Sequence, residues 1–386
     1  MSSSSQRVTG AAPRLRIAML VHRFGRQFGG AEAYVENLAR ALAPQHDVDI
    51  IAFEYQSPLK LPFVRVNVPK RLPSWMRALA FAHQAQRLTR QGYDVVHSHM
   101  NGAAGHIHTV HVTPTHHHLA FRDSFAKRCL AKISLRKQTY LALERARFQQ
   151  GKQTVAVSSR IAHQLSECGL TARQATVIAP GVAAAMMLPG QRHMTRLALG
   201  WDDSILAGLM VARNPLRKGL STLIEAAAHL PRHIRFVIVG ADDAARDAVA
   251  NATAVADRFV CVAATSDVEP WMHAADLFLH PTREDSFGMA PLEALAQGLP
   301  LVVSGPAHCG LSHELQTRHH ALLLDDPRSA PALTQAILEL ADDPVLRRTL
   351  STNGRLFAEK NAWANVAGRY LHLYQTIAPI DVRYGE

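Results

Sequence analysis

The sequence predicts an α/β protein of two facing Rossmann-like domains, with its site in the cleft between them. Three observations support this. The chain opens on a buried strand, a glycine-containing loop and an amphipathic helix, the start of a parallel, doubly wound unit. The alternation of apolar strands and helices restarts near residue 205. Between Arg283 and Val303 a loop turns into a helix at Gly288, bracketed by two acids, Asp285 and Glu293. The 386 residues suffice for two domains with full cores.

Leu15–Val21 reads as the first buried strand. Ala31–Leu42 follows the Phe24–Gly30 loop, and Ala31, Tyr34, Val35, Leu38, Ala39 and Leu42 share one helical face. Further strands are expected at Val48–Phe53, Val64–Val68, Val95–His99, His108–Val112, Thr154–Val157 and Ala175–Ile178. Helices are expected at Ser74–Gln91 and Lys132–Gln149. Pro180–Val182 and Ala183–Pro189 read as an interdomain linker. In the second half, strands are expected at Ile205–Val211, Ile234–Gly240, Phe259–Val262, Leu277–Leu279 and Leu301–Val303. Leu220–Leu230 and Pro291–Gln297 read as helices, and Trp363–Ile377 as a closing helix. The expected organisation is a loose tail over 1–13, a first domain over 14–182, a second over 183–362, and a C-terminal segment over 363–386 packing back towards the first.

Hydrophobic content of 48% and charged content of 19% belong to a globular chain, not a disordered one. No run approaches the ~18 apolar residues of a membrane span, and the first residues lack the apolar core of a secretory signal. The four cysteines are scattered, without a C-x-x-C pair, which fits a reducing compartment and argues against a zinc ribbon. His116, His117 and His118 adjoin no carboxylate or cysteine at ligand spacing, so no metal site is assigned. The net charge of +11 calls for an anionic partner. Its densest zone, Arg122–Lys152, interleaves basic residues with Phe121, Leu130, Ile133 and Leu135. Such helices either rest on anionic lipid or pack into the core with a solvated basic face. No recognised nucleic-acid motif accompanies the charge, so nucleic acid is not an expected partner.

The candidate site residues fall at strand ends and helix starts. Gly29 and Gly30 follow the first strand and open a helix, where backbone can approach a ligand. Arg213, Arg217 and Lys218 follow the Ile205–Val211 strand, and cations there can neutralise a diphosphate. A helix opening after Gly288 offers unpaired N–H groups and a positive end. Asp285 lies in the loop before it and Glu293 within it, suited to hydroxyls on either side of a phosphate. The bland alternative makes Asp285 a helix cap and Glu293 a surface residue, but Met289, Pro291, Leu292 and Leu295 mark a buried helix, and a buried acid needs a partner. His97, His99 and His111 lie on or just after strands, and one of them can face the cleft.

Together these pieces resemble glycosyltransferase family 4, retaining enzymes of the GT-B fold. Asp285 and Glu293, seven residues apart with Phe287-Gly288 inside, match the family's acid-x7-Glu signature. Arg213 through Lys218-Gly219 matches its Arg-x4-Lys-Gly clamp, and Gly29-Gly30-Ala31-Glu32 its first glycine loop. Ala179–Val182 is similar to the family's Pro-x-Gly-Val turn. Leu135–Phe148 is similar to the bacterial lipopolysaccharide core glucosyltransferases of that family. The resemblance implies that Arg213 and Lys218, helped by Arg217, bind the donor diphosphate. Glu293 would hold the ribose, Asp285 the sugar hydroxyls, and the backbone N–H groups of Gly288 and Met289 the sugar and phosphate, with Phe287 also among the donor-binding residues. His111 would face the donor sugar, and Gly30 would lie near the diphosphate. Asp285 departs from the family's usual glutamate, which puts donor identity in question and lets Glu284 substitute.

The expected reaction moves a hexose from a nucleotide-diphosphate sugar, a UDP-sugar being favoured, to a glycan or lipid-linked glycan acceptor with retention of configuration. Two fixed cations and a helix end would stabilise the leaving group, so neither a metal nor a further cofactor is expected. The expected place is the cytoplasm, peripherally on the inner face of the plasma membrane, in lipopolysaccharide or other cell-surface glycan synthesis. Alternatives are a sugar-nucleotide epimerase of the same architecture, or a nucleotide-sugar-binding protein without turnover.

Overall fold

The computed structural model describes residues 13–149, 151–171, 175–183 and 190–377. The expected tail, apart from its last residue, lies outside the described residues, as do 184–189 of the linker and 378–386 of the C-terminal segment.

The first sheet contains β1 (Arg16–Leu20), β2 (Asp47–Ala52), β3 (Phe63–Arg65), β4 (Val95–Ser98), β5 (Ile107–Val110), β6 (Gln153–Ala156) and β7 (Thr176–Val177). Their spatial order is β3-β2-β1-β4-β5-β6-β7, all pairs parallel. The second contains β8 (Leu206–Val211), β9 (Ile234–Val239), β10 (Phe259–Val262), β11 (Leu277–His280), β12 (Leu301–Ser304) and β13 (Leu322–Leu324). Its order, β10-β9-β8-β11-β12-β13, is also all parallel. Both sheets reverse direction beside their first strand, between β1 and β4 and between β8 and β11. Ligand crevices form at such switch points, outside the carboxyl ends of the strands. Most strands are apolar on both faces because helices cover both, as parallel sheets require.

Most strands stand within a residue or two of expectation. The expected Lys132–Gln149 helix does not: the chain forms Phe125–Ile133 and Leu135–Arg147, broken at Ser134. Ser134 is extended (φ −82°, ψ 107°) and its hydroxyl accepts from the Lys137 N–H, capping the second helix. β3 and β7 are shorter than expected. The sequence reading also passed over β13 and the long Ala330–Asp342 and Pro344–Lys360 helices.

The Trp363–Ile377 helix lies against the Gly30–Leu42 helix of the first domain. Tyr370 and Tyr374 are fully buried there. Their hydroxyls enter a chain: Tyr34 to Tyr370 at 2.7 Å, Tyr370 to Thr109 at 2.9 Å, Thr109 to His97 at 2.7 Å, and His97 to Tyr374 at 2.7 Å. The chain passes from one domain to the other at Val182 and back near Asn361, where the Val182 N–H donates to the Asn361 carbonyl at 2.8 Å. Gly181 lies against Trp363 so closely that a Cβ would sit 2.6 Å from its ring. Among the described residues no helix is long and apolar enough to cross a membrane.

Candidate functional site

A cleft of about 760 Å³ opens between the carboxyl ends of the two sheets. The first domain contributes Arg26, Gln27, Ala33 and Asn37. The second contributes Arg213 after β8, Gly240 after β9, Met289 and Glu293 from the Met289–Ala296 helix, and Gln297 just after it. Its volume falls in the range of small-molecule sites.

The helix that carries Glu293 begins where Gly288 permits it. Gly288 has φ 110°, and a Cβ there would meet Cys309 Sγ at 2.9 Å, so this turn favours glycine strongly. The helix starts without a side-chain cap and its first residue, Met289, lines the cleft; first-turn N–H groups have no intrahelical partner and stabilise an anion. Glu293 stands one turn further on. Its carboxylate has no hydrogen-bond partner among the described residues, and burial pushes it up to about 7, with the Arg26 charge opposing. A carboxylate held at a cavity wall without a partner is poised to accept from hydroxyls.

The cations are placed differently from one another. Arg213 reaches across the mouth of the cleft: Nη1 donates to the Phe28 carbonyl at 2.9 Å and Nη2 to the Gln27 carbonyl at 2.5 Å. Lys218 Nζ contacts Asp285 Oδ2 at 2.5 Å and donates to the Glu284 carbonyl at 3.0 Å. Arg217 is exposed, and its side chain does not line the cleft.

The other expected site residues stand as follows. Asp285 was expected to hold sugar hydroxyls, but Oδ2 is shared by Lys218 and by His280 Nε2 at 3.0 Å, and Oδ1 accepts from the Phe287 N–H at 3.4 Å. Burial would raise its carboxyl, yet the His280 hydrogen bond and the Lys218 charge hold it well below the ordinary carboxylate range. Asp285 therefore fixes Lys218. Phe287 sits in the core, and its carbonyl accepts from the Leu311 N–H. Gly29 and Gly30 start the first-domain helix without lining the cavity. Gly29 is extended, with φ 164°, so its conformation does not demand glycine, while Gly30 faces open space. His111 also lies outside the cavity lining; its Nε2 is 2.8 Å from His99 Nδ1, and burial first, then Arg147, holds its imidazole down to about 3.

Sequence reasoning missed the groups that link the domains. Thr113 Oγ1 donates to Glu284 Oε1 at 3.0 Å, and Arg160 lies 3.9 Å from the same carboxylate. Ser158 Oγ donates to the Ser286 carbonyl at 2.6 Å. These partners are more than a hundred residues apart, and no local pattern announces them. The three adjacent histidines diverge: His116 pairs with Glu144 and His117 with Glu167. Among the described residues no group of three or more His, Cys, Asp or Glu side chains forms a metal-sized cluster.

The basic Arg122–Lys152 zone is not one surface. Arg147 is buried and donates to Asn101 Oδ1 and the Thr109 carbonyl, while Lys152 donates to the Ala103 and Ala146 carbonyls. Burial takes up these two charges, while Lys127, Arg128, Lys132, Arg136 and Arg145 stay exposed.

Comparison with known proteins matches this geometry. The family description Glycosyltransferase Family 4 fits residues 28–185, and Glycosyl transferases group 1 fits residues 207–343. The lipopolysaccharide glucosyltransferase WaaG of Escherichia coli (strain K12) is 28% identical over 242 residues, covering 60% of this chain and 64% of that protein. The D-inositol 3-phosphate glycosyltransferase of Jonesia denitrificans is 26% identical over 404 aligned positions, covering 90% and 91%. Among solved structures, WaaG, described as a glycosyltransferase involved in lipopolysaccharide biosynthesis, superposes with a TM-score of 0.79 at 21% identity, covering 94% of this chain and 99% of that one. Anabaena Alr3699/HepE in complex with UDP and glucose gives 0.72 at 17% identity, covering 94% and 100%. The two family matches cover about three quarters of the sequence and divide where the two sheets divide, and the chain belongs to the GT-B glycosyltransferases, with a first domain of family 4.

Proposed function

We propose that the chain transfers a hexose from a UDP-hexose to a glycan acceptor, with retention and without a metal. The observation that carries this reading is the cleft: an unpartnered acid, Glu293, one turn beyond a helix start, with Arg213 at the mouth; Lys218, fixed by Asp285, stands outside the cavity lining beside the loop that leads into that helix. Glu293 accepts from the ribose hydroxyls. The diphosphate lies against the N–H groups at Met289 and Ala290. Arg213 exchanges its carbonyl partners for phosphate oxygens, and Lys218 meets the charge that grows as the sugar–phosphate bond breaks. Closing the cleft excludes water and limits donor hydrolysis. The uracil base is favoured by the HepE neighbour, whose complex holds UDP and glucose. Lipopolysaccharide or a related envelope glycan is favoured by WaaG.

The acceptor side is proposed to work on a lipid-linked glycan at an anionic membrane surface. Ile133 and Leu135 are 79% and 73% exposed, and Leu130 is 62% exposed, beside Lys127, Arg128, Lys132 and Arg136. Apolar side chains left in water among cations suit an interfacial helix. Sedimentation with anionic vesicles but not neutral ones is the expected result; equal behaviour with both removes the membrane from the proposal. For the donor, a thermal-shift panel of nucleoside diphosphates and their sugars decides. Stabilisation by UDP and one UDP-hexose, unchanged by chelator, is expected. Stabilisation only by another nucleotide, or only with a divalent metal, refutes that part. Nuclear magnetic resonance of the product's anomeric proton checks retention.

A further inference from the structure

A second cavity, of about 260 Å³, opens in the first domain and shares no wall residue with the cleft. The segment after β5 builds it. Thr115–His117 makes one helical turn, and His118–Arg122 then winds as a π-helical turn, closed by the Asp123 N–H donating to the His118 carbonyl at 3.0 Å. Such wide turns are rare and recur at functional sites. This one brings Asp123 against Lys137 of the Leu135–Arg147 helix, with Nζ 3.3 Å from Oδ2. Thr115, Asp123 and Lys137 give the cavity polar walls, and Leu119 and the buried Leu141 give it apolar ones. The Thr115 hydroxyl has no hydrogen-bond partner among the described residues.

The groups at these walls select against an anion. Lys137 is matched by Asp123, so the pair brings no net positive charge. Free N–H groups at the start of a helical turn are the natural seat of a phosphate. Here they are taken: the Thr115 N–H donates to Glu144 Oε1 at 2.8 Å and the His116 N–H to Glu144 Oε2 at 2.9 Å. A phosphate would have to displace that buried carboxylate. What remains is a balanced ion pair and a free hydroxyl beside two leucines. Vicinal sugar hydroxyls both donate and accept, which suits a carboxylate and an ammonium side by side, and the C–H face of the ring suits leucine. The volume lies below the about 300–1,000 Å³ typical of sites for whole drug-sized ligands, and so suits a single ring.

We infer that this cavity is a subsite for one neutral sugar ring of the acceptor glycan, a ring other than the one that receives the hexose, with Asp123 and Lys137 gripping its vicinal hydroxyls and Leu119 and Leu141 its C–H face. The inference rests on the glycan acceptor proposed above. The place of the cavity supports it. Asp123 leads into the exposed Phe125–Ile133 helix, and Thr113, another wall residue, donates to Glu284, the neighbour of the Asp285 that holds Lys218. The subsite thus lies between the helix proposed for the membrane and the second-domain loop that leads to the cleft. It makes the chain a reader of the glycan beyond the reacting unit.

Saturation-transfer magnetic resonance on the full chain tests this, with the methyl α-pyranosides of glucose, galactose and mannose as neutral probes and inorganic phosphate as the anionic one. At least one glycoside should bind, and phosphate should not displace it. Lys137→Ala and Asp123→Asn should each weaken that glycoside about tenfold, because each removes a charge-assisted hydrogen bond. Thr115→Val removes a hydroxyl and no charge, so it keeps the test open where loss of the ion pair unfolds the segment; it should weaken binding about threefold. Three results would overturn the proposal: no glycoside binding, glycoside binding unchanged in all three variants, or displacement of the glycoside by phosphate. The donor is read separately. If UDP fails to raise the melting temperature while a glycoside still binds in a Lys137-dependent way, the proposed donor falls and the subsite stands.

Discussion

Glu293→Gln removes an acid that the fold keeps protonated to about 7 rather than its ordinary 4.5. Between those values the folded chain holds a proton that the unfolded chain has released, so stability falls as pH rises through that window and levels off above it. Ionising such a group in the fold costs about 3 kcal/mol. Its partial opening to the cleft lowers this to about 2 kcal/mol. Glutamine, neutral throughout, lacks the slope. The variant should therefore melt with wild type at pH 4.5 but about 4–8 °C above it at pH 8, taking the second domain as the unit that melts. Calorimetry at the two pH values reads this directly. Turnover should move the other way, falling at least about tenfold, because an amide cannot accept at both oxygens from a diol. Nucleotide binding by wild type should release a proton near pH 7. A variant less stable than wild type at pH 8 would mean that Glu293 is ionised and paired in the fold, which would refute the reasoning.

Lys218→Ala should lower kcat about 10²–10³-fold in a UDP-release assay and, by taking the ammonium from Asp285, also lower the melting temperature; Asp285→Asn should lose a similar amount of activity because it frees the Lys218 ammonium rather than removing it. Gly288→Ala forces a side chain into φ 110° and onto Cys309, so it should destabilise the second domain by about 1–3 kcal/mol in urea titration. Tyr370→Phe deletes the central hydroxyl of the buried chain and leaves Tyr34 and Thr109 each short of a partner. It should cost about 1–3 kcal/mol, read as a lower melting temperature.

The two sheets were legible because apolar strands buried on both faces leave a continuous signature, as in Ile234–Val239, and because the restart after Val182 repeats the opening pattern. The helix carrying Glu293 was legible for the same reason: Pro291, Leu292 and Leu295 mark a buried face, and Gly288 marks its start. The pairing of Asp285 was not, because it is made with His280, which ends the strand just before it, and with Lys218, 67 residues away. The break at Ser134 was written in the sequence as a serine three residues before a lysine, but the apolar period of the two helices runs on across it. His99 and His111 read as separate strand-end histidines; only the adjacency of β4 and β5 brings their rings together.

The closing helix, Trp363–Ile377, also has a consequence for the order in which the chain can be completed. A chain made from its amino end can assemble β1 to β7 long before residue 363 exists, yet Tyr34, His97 and Thr109 take their last hydrogen-bond partners from Tyr370 and Tyr374. Until residue 374 has been made, the first domain must wait with an apolar groove and a row of polar groups uncovered. It would be the half most in need of chaperones during translation, although it is made first. A fragment ending at Val182 would keep that gap permanently.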